Sequence, residues 1–267
     1  MSEDTSADEM RFAGVLGADF HLAEYVYGPE ARKFRTEVCK FLAWFFEKPE
    51  TRERMGLVEG APFPVVELGV GAAWTTEEAL GVVPGMVVHG VDDESLMLAH
   101  AEARLAEHLN TRCFLYEMDI LEHLRRQRSG TYEACFTTHT LHNLTREARR
   151  EVYAQLHRVL RPGALLIQLD RMAETGKNPC GDPCCGDLWS QDREHKESLA
   201  MIRRVTSIFT DHGRHDLVAA WVDHLVTDGF PSRRMVWTET VKDLERAGFK
   251  GWSGSSCGMQ HVIESYR

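Results

Sequence analysis

Five short apolar runs between residues 63 and 171, each closed by an acid or a histidine, alternate with helical stretches, and few folds accommodate that order. The runs lie at 63–68, 86–91, 114–116, 132–138 and 164–169. They are apolar almost throughout instead of alternating, the pattern of strands covered on both faces. The stretches between them are long enough to carry the chain from one parallel strand to the next. Such crossovers are right-handed, so the carboxyl ends of the strands gather on one edge of the sheet. Glu67, Asp92, Asp119, His139 and Asp170 all lie at or just past those ends. The chain therefore reads as α/β, a doubly wound sheet with polar groups collected where such sheets bind ligands.

The first of these units is the most informative. Val65, Val66 and Leu68 form a buried strand bounded by Pro64 and by the closely spaced Gly69 and Gly71. Thr75 and Thr76, with Glu77 and Glu78 behind them, predict the N-cap and acidic first turn of a helix. Glycine at 69 and 71 lets a backbone approach a ligand closely, since neither residue has a Cβ. Glu67 ends a buried strand, where a lone carboxylate is costly, so it calls for a partner such as a cationic or multiply donating ligand. Trp74 stands where a dinucleotide-binding fingerprint starting at Gly69 places its third glycine. That argues for a ligand without a pyrophosphate, and against a nicotinamide-dependent oxidoreductase.

The flanking segments fill in the architecture. Phe34, Val38, Phe41, Leu42 and Phe45 recur at three- and four-residue steps and make one apolar helix face. They predict a helical pair packed on the sheet edge between residue 19 and Lys48, with Pro49 as the stop and Tyr25 or Tyr27 available to a pocket. Helices are expected at 95–109 and from Thr145 through Leu160, the latter broken by Arg161-Pro162-Gly163. The separation of Gly69 from Asp92 is that which puts an acid beside a ribose in nucleotide-binding α/β folds. Asp119 opens the following helix and reads as an N-cap as well as a site residue.

Charge and composition limit the functions open to the chain. The 267 residues carry 31 basic and 41 acidic side chains, a net charge of −10, with no basic block. This disfavours sequence-independent binding to a phosphate backbone, so nucleic acid is not the expected partner. No apolar run approaches the roughly 18 residues of a membrane span, and the acidic N-terminus resembles no targeting peptide. The seven cysteines are an odd number and read as free thiols in a reducing cytoplasm.

Several motifs occur together in one order: Val-Val-Glu67-Leu-Gly69-Val-Gly71, Gly90-Val-Asp92 leading to Ser95, Met118-Asp119-Ile120, Leu141-His142-Asn143-Leu144, and His157-Arg-Val-Leu-Arg-Pro-Gly163. This order resembles the class I S-adenosylmethionine-dependent methyltransferases over residues 60–170. The resemblance extends more loosely to Val241–Phe249. It implies a Rossmann-like sheet of seven strands with the last antiparallel. It also implies S-adenosylmethionine as cofactor, lined by Glu67, Leu68, Gly69, Val70 and Gly71 at its methionine end, Glu67 near the amino group. Asp92 would hold the ribose hydroxyls and Asp93 would sit near the adenine. Asp119 and the Ile120 backbone would bond the adenine edge, and Thr138 would complete the lining. Ala73 departs from the family's usual third glycine.

The expected division is a tail at 1–17, a helical cap at 18–58, the core at 59–170, a helical insertion at 171–236 and closing elements at 237–267. Cap helices are expected at 194–210 and 217–227, with a break at Gly229-Phe230-Pro231. Cys180, Cys184 and Cys185 sit in a turn-rich loop there and read as free thiols. A soft-metal site with His195 and a regulatory disulfide are the alternatives. Methyl transfer to a hydroxyl or a protonated amine is helped by a base. His139, His142 and Asp170 are the candidates in the core, and His212, His215 and His224 those in the cap. The function expected is methyl transfer to a small-molecule acceptor by a cytoplasmic enzyme, to which a homodimer is open. A methyltransferase of tRNA or another macromolecule, and a fold relative with a different activity, are the competing readings.

Overall fold

The structure is a computed structural model and describes residues 23–172, 191–228, 235–257 and 260–267, with side chains from 32–172, 199–224, 235–254 and 262–267. Two helices, α1 (Ala23–Glu47) and α2 (Pro49–Met55), precede the first strand. Phe34, Val38, Leu42 and Phe45 of α1 are buried as their spacing predicts. Pro49 both ends α1 and opens α2, where its missing N–H is not needed by the first turn.

Strand and helix then alternate: β1 (Phe63–Leu68), α3 (Trp74–Val82), β2 (Met86–Asp92), α4 (Ser95–Arg104), β3 (Cys113–Glu117), α5 (Ile120–Arg126), β4 (Tyr132–Thr138), α6 (Arg146–Val159) and β5 (Leu160–Arg171). Two helices, α7 (Gln191–Asp211) and α8 (His215–Asp228), follow, then α9 (Trp237–Ala247), β6 (Lys250–Cys257) and β7 (Gln260–Tyr266). The strands form one sheet of seven in the order β3-β2-β1-β4-β5-β7-β6. β1 to β5 are parallel, and β7 runs antiparallel to both β5 and β6. The Rossmann-like sheet with an antiparallel last strand is therefore present. Leu68 pairs with both Val91 and Thr137, and Thr138 with Leu169, so four carboxyl ends finish level.

The main core fills both faces of this sheet, and Leu68, Val91, Phe136 and Leu166 are shut off from water. Each such side chain contributes about 1.5–3 kcal/mol by burial. A second, smaller core joins α7 to α8 through Val205, Phe209, Leu217 and Trp221, and Trp74 packs against it.

Four expectations are corrected. The helix from Ser95 stops at Arg104 instead of 109, because Leu105 caps it and the chain turns through Asn110 with φ +57°. The helix expected through Leu160 ends at Val159, and β5 begins at Leu160, since Pro162 and Gly163 are tolerated at the rim of the sheet beyond its buried centre. The helix after the glycine turn is capped by Ala73 and starts at Trp74, so Thr75 and Thr76 lie inside its first turn. The cap helices are longer than read, at Gln191–Asp211 and His215–Asp228. The cysteine loop at 180–185, the break at 229–231, the tail, and the side chains of Tyr25, Tyr27 and His195 lie outside the described residues.

Candidate active site

The glycine turn is held from two sides. The N–H groups of Gly69 and Val70 both donate to the carbonyl of Val91, at 2.8 and 3.0 Å. Gly69 has φ +67°, and a Cβ there would lie 2.2 Å from Thr140 Oγ1. Its glycine is thus required by the chain after β4 and not only by a ligand. Gly71 also has a positive φ, and a Cβ there would meet nothing within 4 Å. Of the two glycines, Gly71 is the one whose surface faces open space.

Asp92 links this turn to the next loop. Its Oδ2 accepts from the Gly71 N–H at 2.8 Å and its Oδ1 from the Glu94 N–H at 3.1 Å. Burial nevertheless pushes its carboxyl up to about 6, against those two hydrogen bonds, with Asp93 and Glu94 adding to the rise. Glu67 is buried and takes a short hydrogen bond from the Thr76 hydroxyl. The partner it calls for is thus supplied by the chain. Desolvation still holds its carboxyl well above the usual carboxylate range, with Asp92 contributing. Asp119 is exposed at the end of β3 and caps α5 through Oδ1, which accepts from the Glu122 N–H at 2.9 Å. Asp93 is exposed, Ile120 is the first residue of α5, and Val70 is buried. Leu68 lies wholly in the core, and its carbonyl accepts from the Thr137 hydroxyl.

On the other side of β1, Thr138 shares a 3.0 Å hydrogen bond with Thr75, joining the end of β4 to the first turn of α3. His139 follows in a left-handed conformation, φ +56°. Burial pushes its imidazole down to about 4, although Asp170 opposes the shift. His142 sits in a single 3₁₀ turn, Leu141–Asn143, with Nδ1 2.5 Å from Asp170 Oδ1. Asp170, at the end of β5, is fully buried and also accepts from the Leu141 N–H at 3.0 Å. Gln168 faces it at 3.4 Å, and the Tyr153 hydroxyl holds the Gln168 carbonyl at 2.9 Å. Burial alone would raise the Asp170 carboxyl, but the adjoining His142 outweighs this and keeps it below the ordinary range. Asp170 is therefore the acceptor and Nδ1 of His142 the donor of this bond.

The cap reaches this pair. His224 of α8 is buried, edge-to-face with His142 at 6.4 Å between ring centroids and with Trp221 at 5.4 Å. His212 and His215 are exposed, and His212 Nδ1 is 2.7 Å from the Ile208 carbonyl. Arg35 of α1 was not among the expected residues. It is buried, lies 5.1 Å from the centre of the Trp74 ring, and acts on His139. The signal for it was a charge three residues before Val38 on an otherwise apolar helix face. Among the described residues, no group of three or more His, Cys, Asp or Glu is placed to hold a metal. No helix among them is long and apolar enough to cross a membrane.

This geometry can be set beside known proteins. Residues 65–163 match the family model described as a methyltransferase domain. That match spans 99 of the 267 residues, the stretch from β1 to the start of β5. Solved structures repeat its fold. An O-methyltransferase family protein from Burkholderia thailandensis superposes with a TM-score of 0.60 at 14% identity, over 97% of this chain and 62% of that one. The DszA carbon methyltransferase gives 0.57 at 15% identity, over 90% of this chain and 55% of that one. A methyltransferase from Mesorhizobium loti gives 0.51 at 16% identity, over 84% and 100%. The chain thus spans less than two thirds of the length of the first two. At these identities the likeness is one of fold. No curated protein sequence matches this one significantly. Asp119, Asp92, Glu67, His139, His142 and Asp170 stand at the carboxyl edge of the parallel strands, whose order is β3, β2, β1, β4, β5.

Proposed function

We propose that this protein transfers a methyl group from S-adenosylmethionine to a small-molecule acceptor whose reacting atom gives up a proton. The observation that carries the reading is the buried Asp170–His142 pair on the same sheet edge as the open face of Gly71. The cofactor supplies a methyl carbon on a sulfonium, and the residues present fit it. An ammonium near Glu67 offsets the burial that raises its carboxyl, and Asp92 keeps lone pairs for ribose hydroxyls beside its two backbone bonds. Asp119 and the start of α5 lie one strand further out, where a base would rest. That the neighbours in fold include an O-methyltransferase family protein and a carbon methyltransferase supports this class of reaction.

On this reading the acceptor lies over β4 and β5. S-adenosylmethionine, which the Gly71 turn and Asp92 would hold, would supply the methyl group to the acceptor atom, and this chain's residues would receive the proton that atom gives up. Nε2 of His142 takes the proton, and the Asp170 carboxylate faces the imidazolium that results. Alignment and exclusion of water, to which the cap helices contribute, supply the rest of the acceleration.

Calorimetric titration with S-adenosylmethionine and S-adenosylhomocysteine tests the proposal. Wild type should bind both, and Asp92→Ala should bind at least about tenfold more weakly, since hydrogen bonds to a charged group are lost. Affinity should also fall as the pH drops below about 6, where the Asp92 carboxylate takes up its proton. No binding by wild type would refute the assignment.

A further inference from the structure

The glycine turn after β1 is held from a direction the sequence does not announce, by Arg104 at the end of α4. Its Nε donates to the Ala72 carbonyl at 2.8 Å and its Nη1 to Glu77 at 3.0 Å. Its guanidinium lies 5.6 Å from the centre of the Trp74 ring, and Arg35 stands 5.1 Å from the same ring. Glu77 is in the first turn of α3, so one planar fork ties the end of α4 to the turn and to the helix that leaves it. The ion pair itself stabilises the fold little, because 51% of the Glu77 side chain is open to water. The bond to Ala72 matters more, because the next residue is strained. Ala73 is wholly buried in a left-handed conformation, φ +60°, which costs an alanine energy that a glycine escapes. The peptide plane between residues 72 and 73 sets that φ. It is held at both ends, the Ala73 N–H donating to the Val70 carbonyl at 2.9 Å and the Ala72 carbonyl accepting from Arg104.

Granting S-adenosylmethionine as the cofactor, we infer that Arg104 is a positioning residue for its amino-acid end. Arg104 acts through the backbone: it clamps the peptide between Ala72 and Ala73, keeps Ala73 left-handed, and so keeps the open face of Gly71 aimed at the ligand. Asp92 pins the same turn one residue earlier, through the Gly71 N–H at 2.8 Å. The clamp answers the alanine at 73, since a glycine there would hold the left-handed conformation without strain. Lysine cannot replace Arg104. Its ammonium is a point charge on a flexible stem and lacks the rigid fork that meets a carbonyl and a carboxylate at once.

Calorimetry with two ligands tests this. S-adenosylhomocysteine carries the amino-acid end, and 5′-methylthioadenosine shares the adenosine but lacks that end. Arg104→Lys keeps the charge and loses the fork. It should bind S-adenosylhomocysteine at least about fivefold more weakly while holding 5′-methylthioadenosine as wild type does. Glu77→Gln removes the ion pair but not the bond to Ala72, and should bind both ligands like wild type. Ala73→Gly removes the strain, so adding Arg104→Lys to it should cost less S-adenosylhomocysteine affinity than the same change in wild type. Undiminished S-adenosylhomocysteine affinity in Arg104→Lys would mean that the charge alone suffices. Equal weakening of both ligands would mean a general loosening of the fold, and an equal loss in the Ala73→Gly background would separate Arg104 from the strain. Any of these three results would overturn the inference and leave the cofactor assignment standing. Failure of wild type to bind S-adenosylhomocysteine would overturn both.

Discussion

Acid should weaken the fold through one buried imidazole remote from the site, His123. Its Nε2 is 2.9 Å from the Tyr132 hydroxyl, and its ring packs on Tyr116 at 4.9 Å. His89, bonded to the Tyr116 hydroxyl at 3.1 Å, completes a group of four rings from β2, β3, β4 and α5. Desolvation pushes the His123 imidazole from the ordinary 6.5 down to about 4, and the nearby His89 and Arg126 press it the same way. The unfolded chain takes up a proton near 6.5 and the folded chain only near 4. The contribution of His123 is therefore present in full above 6.5 and is lost as the pH falls to about 4. A separation of that size is worth about 3 kcal/mol.

Urea unfolding followed by circular dichroism across that window measures the effect against His123→Gln, which does not titrate. The variant should start lower, having lost its ring contacts, but its stability should change less with pH. The gap between the two proteins should close by about 3 kcal/mol from 6.5 to 4. Other groups, Glu67 and Asp92 among them, titrate in both proteins and cancel in the comparison. Parallel curves would mean that His123 titrates alike in the folded and unfolded chain, and the reasoning from burial would fail.

Gly69→Ala should destabilise by about 2 kcal/mol or more, because a left-handed alanine costs about 1–2 kcal/mol and its Cβ must also displace Thr140. Gly71→Ala, with open space around it, should cost only the backbone term in thermal melts while weakening cofactor binding. Asp243 of α9 is 5% exposed and pairs with Arg146 and Arg150 of α6 and with Arg246. Asp243→Ala should cost about 1–2 kcal/mol in urea unfolding, less than a fully buried pair because those arginines remain partly solvated.

Much of this was legible in the sequence because the parallel strands are short, apolar and separately punctuated. β4 is read to the residue, since Tyr132–Thr138 is a continuous run with polar residues at both ends. The strand-end acids are legible for the same reason. What escaped depends on contacts between distant segments. Thr76 looks like a cap from its neighbours, yet its hydroxyl goes to Glu67 across the turn. Gly69 looks like a ligand glycine, yet Thr140, seventy-one residues later, occupies the space a side chain needs. Gln168 interrupts an apolar strand, a visible anomaly whose meaning comes only from Tyr153 on one side and Asp170 on the other.

The same distinction separates the two halves of the site. The side proposed for the cofactor is built from β1, β2, β3 and the turns that follow them, so each group is set by the strand just before it. The side proposed for the base joins β4 and β5 through the hydrogen bonds of Asp170 to His142 and Leu141. His224 comes from further away still, from a pair of helices with their own small core. That core rests on Trp74, the residue standing where a dinucleotide-binding turn has glycine. A bulky side chain at the glycine turn therefore serves as the seat on which the insertion is carried. Among the described residues, the insertion's helices touch the core at Trp74 and through the His142–His224 contact, and Met235 beyond them reaches Gln168 of β5.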